Sequence, residues 1–282
     1  MSLDTKKIYV DSRFKTSNRN SDSDFSIELP RSFNVPDGVV AHIDDIVIPV
    51  CWTTVDERNP NCYFAVFTGV DSQELSFTMP AKNYDGIEFA TALAQKFNEA
   101  IATSKYAKPV VSTTYDLMQN ILVISLSDSR SASAKTQSPI TLQIRTDEVL
   151  QNPPAGSDIT QRSNPRTINA ILRTTVNTRI TETTPWRCFL DLHPTRNLYL
   201  CSAALASYDT VSNFGNDTII KKIPCAAGFN KLLVQMSGST LDGLSVSRRS
   251  LRYIDFKLVD TSNNIVPLQG NHFSFSIVFV KK

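Results

Sequence analysis

Histidine, glycine and long runs of any one character are what this chain has least of. Its 282 residues include three histidines, His42, His193 and His272, too dispersed to suggest the two-histidine-plus-carboxylate triad of an iron oxygenase and too few for much acid–base chemistry. None of the nine glycines falls in the spacing of a phosphate-cradling loop. The formal net charge is +2, from 29 basic and 27 acidic residues, and no basic run exceeds two residues, so direct nucleic-acid binding is not expected. No stretch approaches the roughly 20 apolar residues that span a bilayer, and the opening MSLDTKKIYVDSRFK has no apolar core, so we expect neither a membrane span nor a secretory leader. That implies synthesis in a reducing cytosol, and Cys51, Cys62, Cys188, Cys201 and Cys225, odd in number and scattered, read as inert thiols and not a disulfide framework. Without a secretory route the sequon at Asn216-Asp217-Thr218 carries no weight. No repeat of fixed period and no low-complexity tract occurs.

What is present is strand pattern. In residues 251–282 Ile254, Phe256 and Leu258 alternate with Tyr253, Asp255 and Lys257; Thr261 to Asn264 supply turn chemistry; Phe273, Phe275, Ile277 and Phe279 then alternate with polar residues. Four large apolar residues on one strand face require a second sheet against them, so this end belongs to a sandwich or barrel. The front reads alike: Ile8 and Val10, a polar loop or mobile arm from Asp11 to Asp24, Phe25-Ile27-Leu29, Val39 to Val50, Phe64 with Val66, and Gln73 to Met79. The middle differs. A helix is predicted over Asp85 to Thr103, with Asp85 as N-cap, Glu88 completing a capping box, and a stripe of Ile87, Ala90, Leu93, Ala94, Phe97 and Ile101. A hairpin of Val110–Tyr115 with Ile121–Leu126, a strand at Ile140–Ile144 and short helices at Asp147–Leu150 and Thr167–Leu172 follow. Strands resume at Arg187–Leu192, Leu198–Ala206, Thr218–Ile223 and Lys231–Met236. The expected organisation is therefore a discontinuous sandwich, residues 1–79 with 176–282, and an inserted α+β module, residues 80–175.

No constellation reads as catalytic, cofactor-binding or metal-binding. Asp191 and His193 share a face if extended, with Cys188 near, but no third group orients them, and Cys188 falls an odd number of residues away. Asp44 and Asp45 are adjacent, hence on opposite faces of a regular strand, where catalytic carboxylates must converge. Arg248, Arg249 and Arg252, with Arg13, Lys15 and Arg19, read as solvated or interface charge before a phosphate-binding set. Trp52 and Trp186 read as core anchors before interface anchors.

The string KIYVDSRFKTSNRNSDSDFSIELPRSFNVPDGVVAHIDDIVIPVCWTT, with RSLRYIDFKLVDTSNNIVPLQGNHFSFSIVF near the other end, resembles the penton, or vertex, protein of polinton-like viruses, virophages and Maverick-type elements. The central KNYDGIEFATALAQKFNEA and STTYDLMQNILVISLSD look like a βαββ module of other viral structural proteins. The resemblance implies a single jelly roll that forms homopentamers at the fivefold vertices of an icosahedral shell built from a double jelly-roll major capsid protein. It also implies an outward-facing insertion, location in the virion after synthesis in host cytoplasm, and no catalytic residue. Closed rings need heterologous contacts, expected on the Asp11–Asp24 arm and the loops Arg31–Gly38 and Asn213–Asp217. A module binding a host receptor or glycan is the second reading, since sandwiches with inserted domains also serve in attachment; an enzyme is the third.

Overall fold

The computed structural model describes residues 5–16, 21–69, 71–106, 109–163, 167–174, 178–193, 195–207, 218–236 and 242–281. Strands take 46% of the chain and helices 14%, so sheet packing makes most of the core. The chain divides into two compact units, residues 1–52 with 195–282, and residues 53–194.

Three strands open the first unit: β1 (Thr5–Asp11), β2 (Asp24–Asn34) and β3 (Val39–Pro49). The second unit then runs β4 (Asn61–Thr68), β5 (Asp71–Thr78), α1 (Gly86–Ala102), β6 (Val110–Asp116), β7 (Ile121–Ser127), α2 (Ala132–Gln137), β8 (Ile140–Ile144), α3 (Asp147–Gln151), α4 (Asn169–Leu172), β9 (Thr178–Ile180) and β10 (Trp186–Phe189). The first unit resumes with β11 (Asn197–Cys201), β12 (Ile219–Pro224), β13 (Leu232–Met236), β14 (Leu244–Ser245), β15 (Ser250–Asp260) and β16 (Ser274–Lys281).

One sheet of the first unit has the order β1-β16-β3-β13, with β14 also on β3; the other has the order β12-β11-β15-β2. Apart from β11–β12 and β13–β14, which stay within one sheet, successive strands cross between the two sheets, and all the strand pairs are antiparallel, which is the winding of a single jelly roll. Thus β15 and β16, adjacent in sequence, do not form a hairpin; they sit in opposite sheets. Their alternation turns both apolar rows inward: Ile254, Phe256 and Leu258 from one sheet meet Phe275, Ile277 and Phe279 from the other. Phe256 is the pivot, with ring centroids 4.8 Å from Phe275 and 5.6 Å from Phe25, and Phe25 lies 5.6 Å from Phe273. Front and rear of the chain therefore share one core.

The second unit holds two sheets, β10-β7-β6 and β5-β4-β8-β9. Asp85 caps α1, its carboxylate accepting from the Glu88 N–H at 2.7 Å, and Phe97 packs edge-on to Phe64 and Phe77, both at 4.9 Å. The buried face is Phe89, Ala90, Leu93, Phe97 and Ile101, whereas Ile87 is 59% exposed, contrary to the predicted stripe. The cause is Gly86: its lack of a side chain lets the first turn press against the Tyr115 ring, which a Cβ would overlap, and this leaves the next residue facing out. On the other flank the Asn98 amide completes the edge of β6, donating to Val111 O and accepting from Val111 N–H, both at 2.8 Å. It satisfies two backbone groups that a neighbouring strand would otherwise take.

The expected boundaries at 79/80 and 175/176 are displaced. β4 and β5 pair with each other and, through Phe64↔Ile144 and Leu142↔Ile180, with β8 and β9; none of them joins the jelly roll. Likewise the strand expected at Arg187–Leu192 is β10, which pairs with β7 through Cys188↔Leu122. Alternation marks a buried face without saying which core buries it. The helix α2 was not anticipated, having no apolar stripe: none of its residues is buried.

Two stability measurements follow from this packing. Phe256→Ala should cost about 3–5 kcal/mol in denaturant unfolding, the range for emptying an aromatic site in a closed core. Asn98→Ala should cost about 1–3 kcal/mol, since it strands the buried N–H and C=O of Val111, and should raise light scattering as the β6 edge is uncovered.

Candidate functional site

The jelly roll carries its most accessible chemistry on the outer face and edges of the β1-β16-β3-β13 sheet. Paired positions place side chains in transverse rows, and one such row is Val234, Val47, Ser274 and Asp11. Between Phe275↔Ile46 and Ile277↔Ile43 the register shifts, so Ser276 faces two residues of β3, Asp44 and Asp45. This bulge turns both carboxylates to the outer face, against the expectation that they diverge, because Ile43 and Ile46 on either side are both buried. Asp44 pairs with Lys7 at 3.2 Å and Asp45 accepts from the Ser276 hydroxyl. Asp44 holds the Lys7 ammonium above its ordinary range through that hydrogen bond and the accompanying charge attraction.

Beside the β1 edge runs an open groove of about 730 Å³, whose lining mixes apolar residues such as Tyr9, Phe14, Leu29 and Pro30 with the charged Lys6, Lys7, Asp11, Glu28, Arg31 and Asp45. Tyr9 and Phe14 are 79% and 74% exposed. Of its acids, Asp11 is matched by Arg13 at 2.6 Å and Glu28 by Arg252 at 2.6 Å, while Asp45 accepts from the Ser276 hydroxyl. At the opposite edge, β13 turns Leu232, Val234 and Met236 outward, 63%, 59% and 75% exposed.

The remaining predicted residues are structural. Asp191 lies beyond β10, ion-paired to Arg173 at 2.6 Å, and accepts from the backbone N–H of His193. Cys188 sits within β10, and burial pushes its thiol up to about 12. The strand ends at Phe189, so the continuous strand face expected to carry both Asp191 and His193 does not form. Arg248 meets Asp37 at 2.5 Å; Arg249 donates to Ala204 O and Ala206 O at 2.8 and 2.6 Å; Arg252 holds Glu28; Lys15 holds Asp22 at 2.6 Å. Arg19 lies outside the described residues, as do the loop Asn213–Asp217 and most of the sequon Asn216-Asp217-Thr218. The described parts of the Asp11–Asp24 arm are tied down, Ser12 exchanging hydrogen bonds with Phe273 and Thr16 N–H reaching Ser26 O at 2.9 Å. Of the Arg31–Gly38 loop, Phe33 and Val35 are buried. Trp52 is in the jelly-roll core and Trp186 packs on the core of the second unit. All five cysteines are free thiols, and among the described residues no group of three histidine, cysteine or acidic side chains could hold a metal.

One recurring device escaped the sequence reading. In Asp11-Ser12-Arg13, Asp56-Glu57-Arg58 and Asp128-Ser129-Arg130, the aspartate Oδ1 accepts from the arginine N–H two residues on, and the guanidinium folds back on the same carboxylate. The signal is simply D-x-R, which follows a strand end at Asp11 and Asp128 and lies in the β3–β4 connection at Asp56, and the Arg–carboxylate fork fixes the local course of the chain.

No family model and no curated protein matches the chain. A crystal structure of the mavirus penton protein is similar to it at a TM-score of 0.51 and 10% identity, over 97% of this chain and 99% of that one. The likeness is one of fold. It extends over nearly the whole of both chains, so it takes in the insertion as well as the jelly roll.

The Asp128–Arg130 clamp gives a pH-dependent prediction. The hydrogen-bonded Arg130 guanidinium holds the Asp128 carboxyl below its ordinary range. A depressed folded-state value means that the stabilisation is complete above the unfolded value, about 3.9, and disappears as pH falls through the folded one. Asp128→Asn should therefore cost about 1.5–3 kcal/mol at pH 7, and the gap to the wild type should start to narrow below about pH 3.9 and close only as pH falls through the depressed folded-state value.

Proposed function

We propose that this protein is a structural capsid protein that forms the pentameric vertices of a small icosahedral double-stranded DNA virus. Its partners are further copies of itself and a double jelly-roll major capsid protein, and its place is the virion, after synthesis in host cytoplasm. The observation that carries the reading is the penton-like fold over nearly the full length of both chains. Two features of the molecule support it. A jelly roll with matched internal ion pairs and accessible apolar edges is built to be packed against neighbours. The residues that might have formed a catalytic centre, Asp191 above all, are spent on internal contacts. No catalytic, cofactor or metal site is assigned.

One feature favours an added attachment role for the insertion. The tip of the β6–β7 hairpin exposes Leu117 and Met118, 71% and 93%, and Phe189 on the neighbouring β10 is also exposed. An apolar tip of this kind suits a host receptor or the apolar face of a glycan.

Negative-stain imaging and native mass measurement of the purified protein, alone and co-expressed with the cognate major capsid protein, test the main reading. Fivefold rings or vertex occupancy are expected. A protein that remains monomeric and is left out of the shells would overturn it.

A further inference from the structure

The strand β13 is inside out. Its sequence LLVQM alternates, and alternation ordinarily turns the apolar row to the core. Here Leu232, Val234 and Met236 face outward, while the inward positions are Leu233, against Ile48, and Gln235, against Ile46. The Gln235 Oε1 is buried without a hydrogen-bond donor among the described residues. A protomer on its own thus keeps an apolar row in water and a polar atom in the core. Shifting the strand by one residue would relieve both, so the observed register makes sense when the outer row is covered.

We propose that the outer row of β13 is covered by a second copy of this chain, docked at the β1 edge groove. The proposal rests on the reading of the protein as a ring-forming capsid subunit, and it names the contact that makes the ring. Three observations choose this occupant. β1 and β13 are the two edges of one sheet, so joining them is a heterologous, head-to-tail contact, the kind a cyclic ring requires. Since β1-β16, β16-β3 and β3-β13 are each antiparallel, β1 and β13 run in opposite directions, and a neighbour in the same orientation would add its β1 to β13 in the pairing sense used throughout the sheet. The charges also fit. Residues 232–236 carry none, and in the groove Asp11, Glu28 and Lys7 are matched by Arg13, Arg252 and Asp44, Asp45 accepts from Ser276 and Lys6 lies over the Phe33 ring, so an uncharged strand enters without breaking these contacts. Tyr9, Phe14, Leu29 and Pro30 then supply the apolar surface that Leu232, Val234 and Met236 lack.

Two variants test the contact in the full-length protein. Val234→Lys alters an exposed side chain and should leave the far-UV circular dichroism spectrum of the folded subunit unchanged while shifting native mass from ring to monomer. Ile87→Lys, an equally exposed position on α1 of the second unit, should keep the ring. A doubly substituted chain, Tyr9→Cys with Met236→Cys, should give a ladder of covalent oligomers on mild oxidation, and each single variant should give none. Within one protomer these positions are three strand spacings apart, about 14 Å, well beyond disulfide reach. The native thiols compete poorly, Cys188 and Cys225 being pushed by burial to about 12 and about 11. Rings that survive Val234→Lys and yield no ladder would overturn the contact and leave the vertex reading standing. A wild-type protein that forms no ring with or without the shell protein would overturn the reading, and the contact with it.

Discussion

Everything in the jelly roll depends on two sheets facing each other across a cluster of phenylalanines drawn from distant parts of the chain. Phe25 belongs to the second strand, Phe256 to β15, Phe273 to the segment before β16 and Phe275 to β16 itself, and each ring touches at least one other across the gap between sheets. Burying a side chain of this size is worth about 1.5–3 kcal/mol, and none of these residues can be buried until both ends of the chain are present. The inner faces are thereby fixed, and with them the outer ones, because successive strand residues alternate. The accessible rows at Tyr9 and at Met236 are consequences of where Phe275 and Ile48 had to go.

The same core explains how a unit of more than a hundred residues can be accommodated. Residues 53–194 leave the jelly roll after β3 and return before β11, and every one of their strands finds its partner within the insertion. Each unit closes its own hydrophobic account. The jelly roll asks of the insertion only that it begin and end at one interstrand connection, which is why surface loops tolerate such additions.

Much of this was legible in the residues. Alternation found the strands around Ile27, Ile48, Leu200 and Ile254, and the Asp85 cap with its apolar stripe found α1. The sandwich class and the sharing of its core between the two ends followed. What escaped was decided by tertiary partners. The alternation of Phe64 and Phe77 is indistinguishable from that of a jelly-roll strand until Phe97 is seen against them. Asp44 and Asp45 diverge in a regular strand, and only the bulge opposite Ser276 brings both outward. The candidate contact surface was hidden more deeply: Leu232, Val234 and Met236 read as a core row, and only the pairing of Gln235 with Ile46 shows that they face the other way. The expected interface arm, by contrast, is largely anchored where it is described, through Ser12 and Thr16.

The position of β16 sets a schedule for folding. It lies between β1 and β3 in its sheet yet follows every other described strand, so the middle of that sheet stays open until the row from Phe273 to Phe279 has been synthesised. During that interval β1 and β3 expose unpaired edges on both sides of a vacant slot, while the insertion, synthesised earlier and self-contained, has had time to form. The outer face of that sheet is therefore not finished, by the winding order alone, before synthesis has reached Phe279.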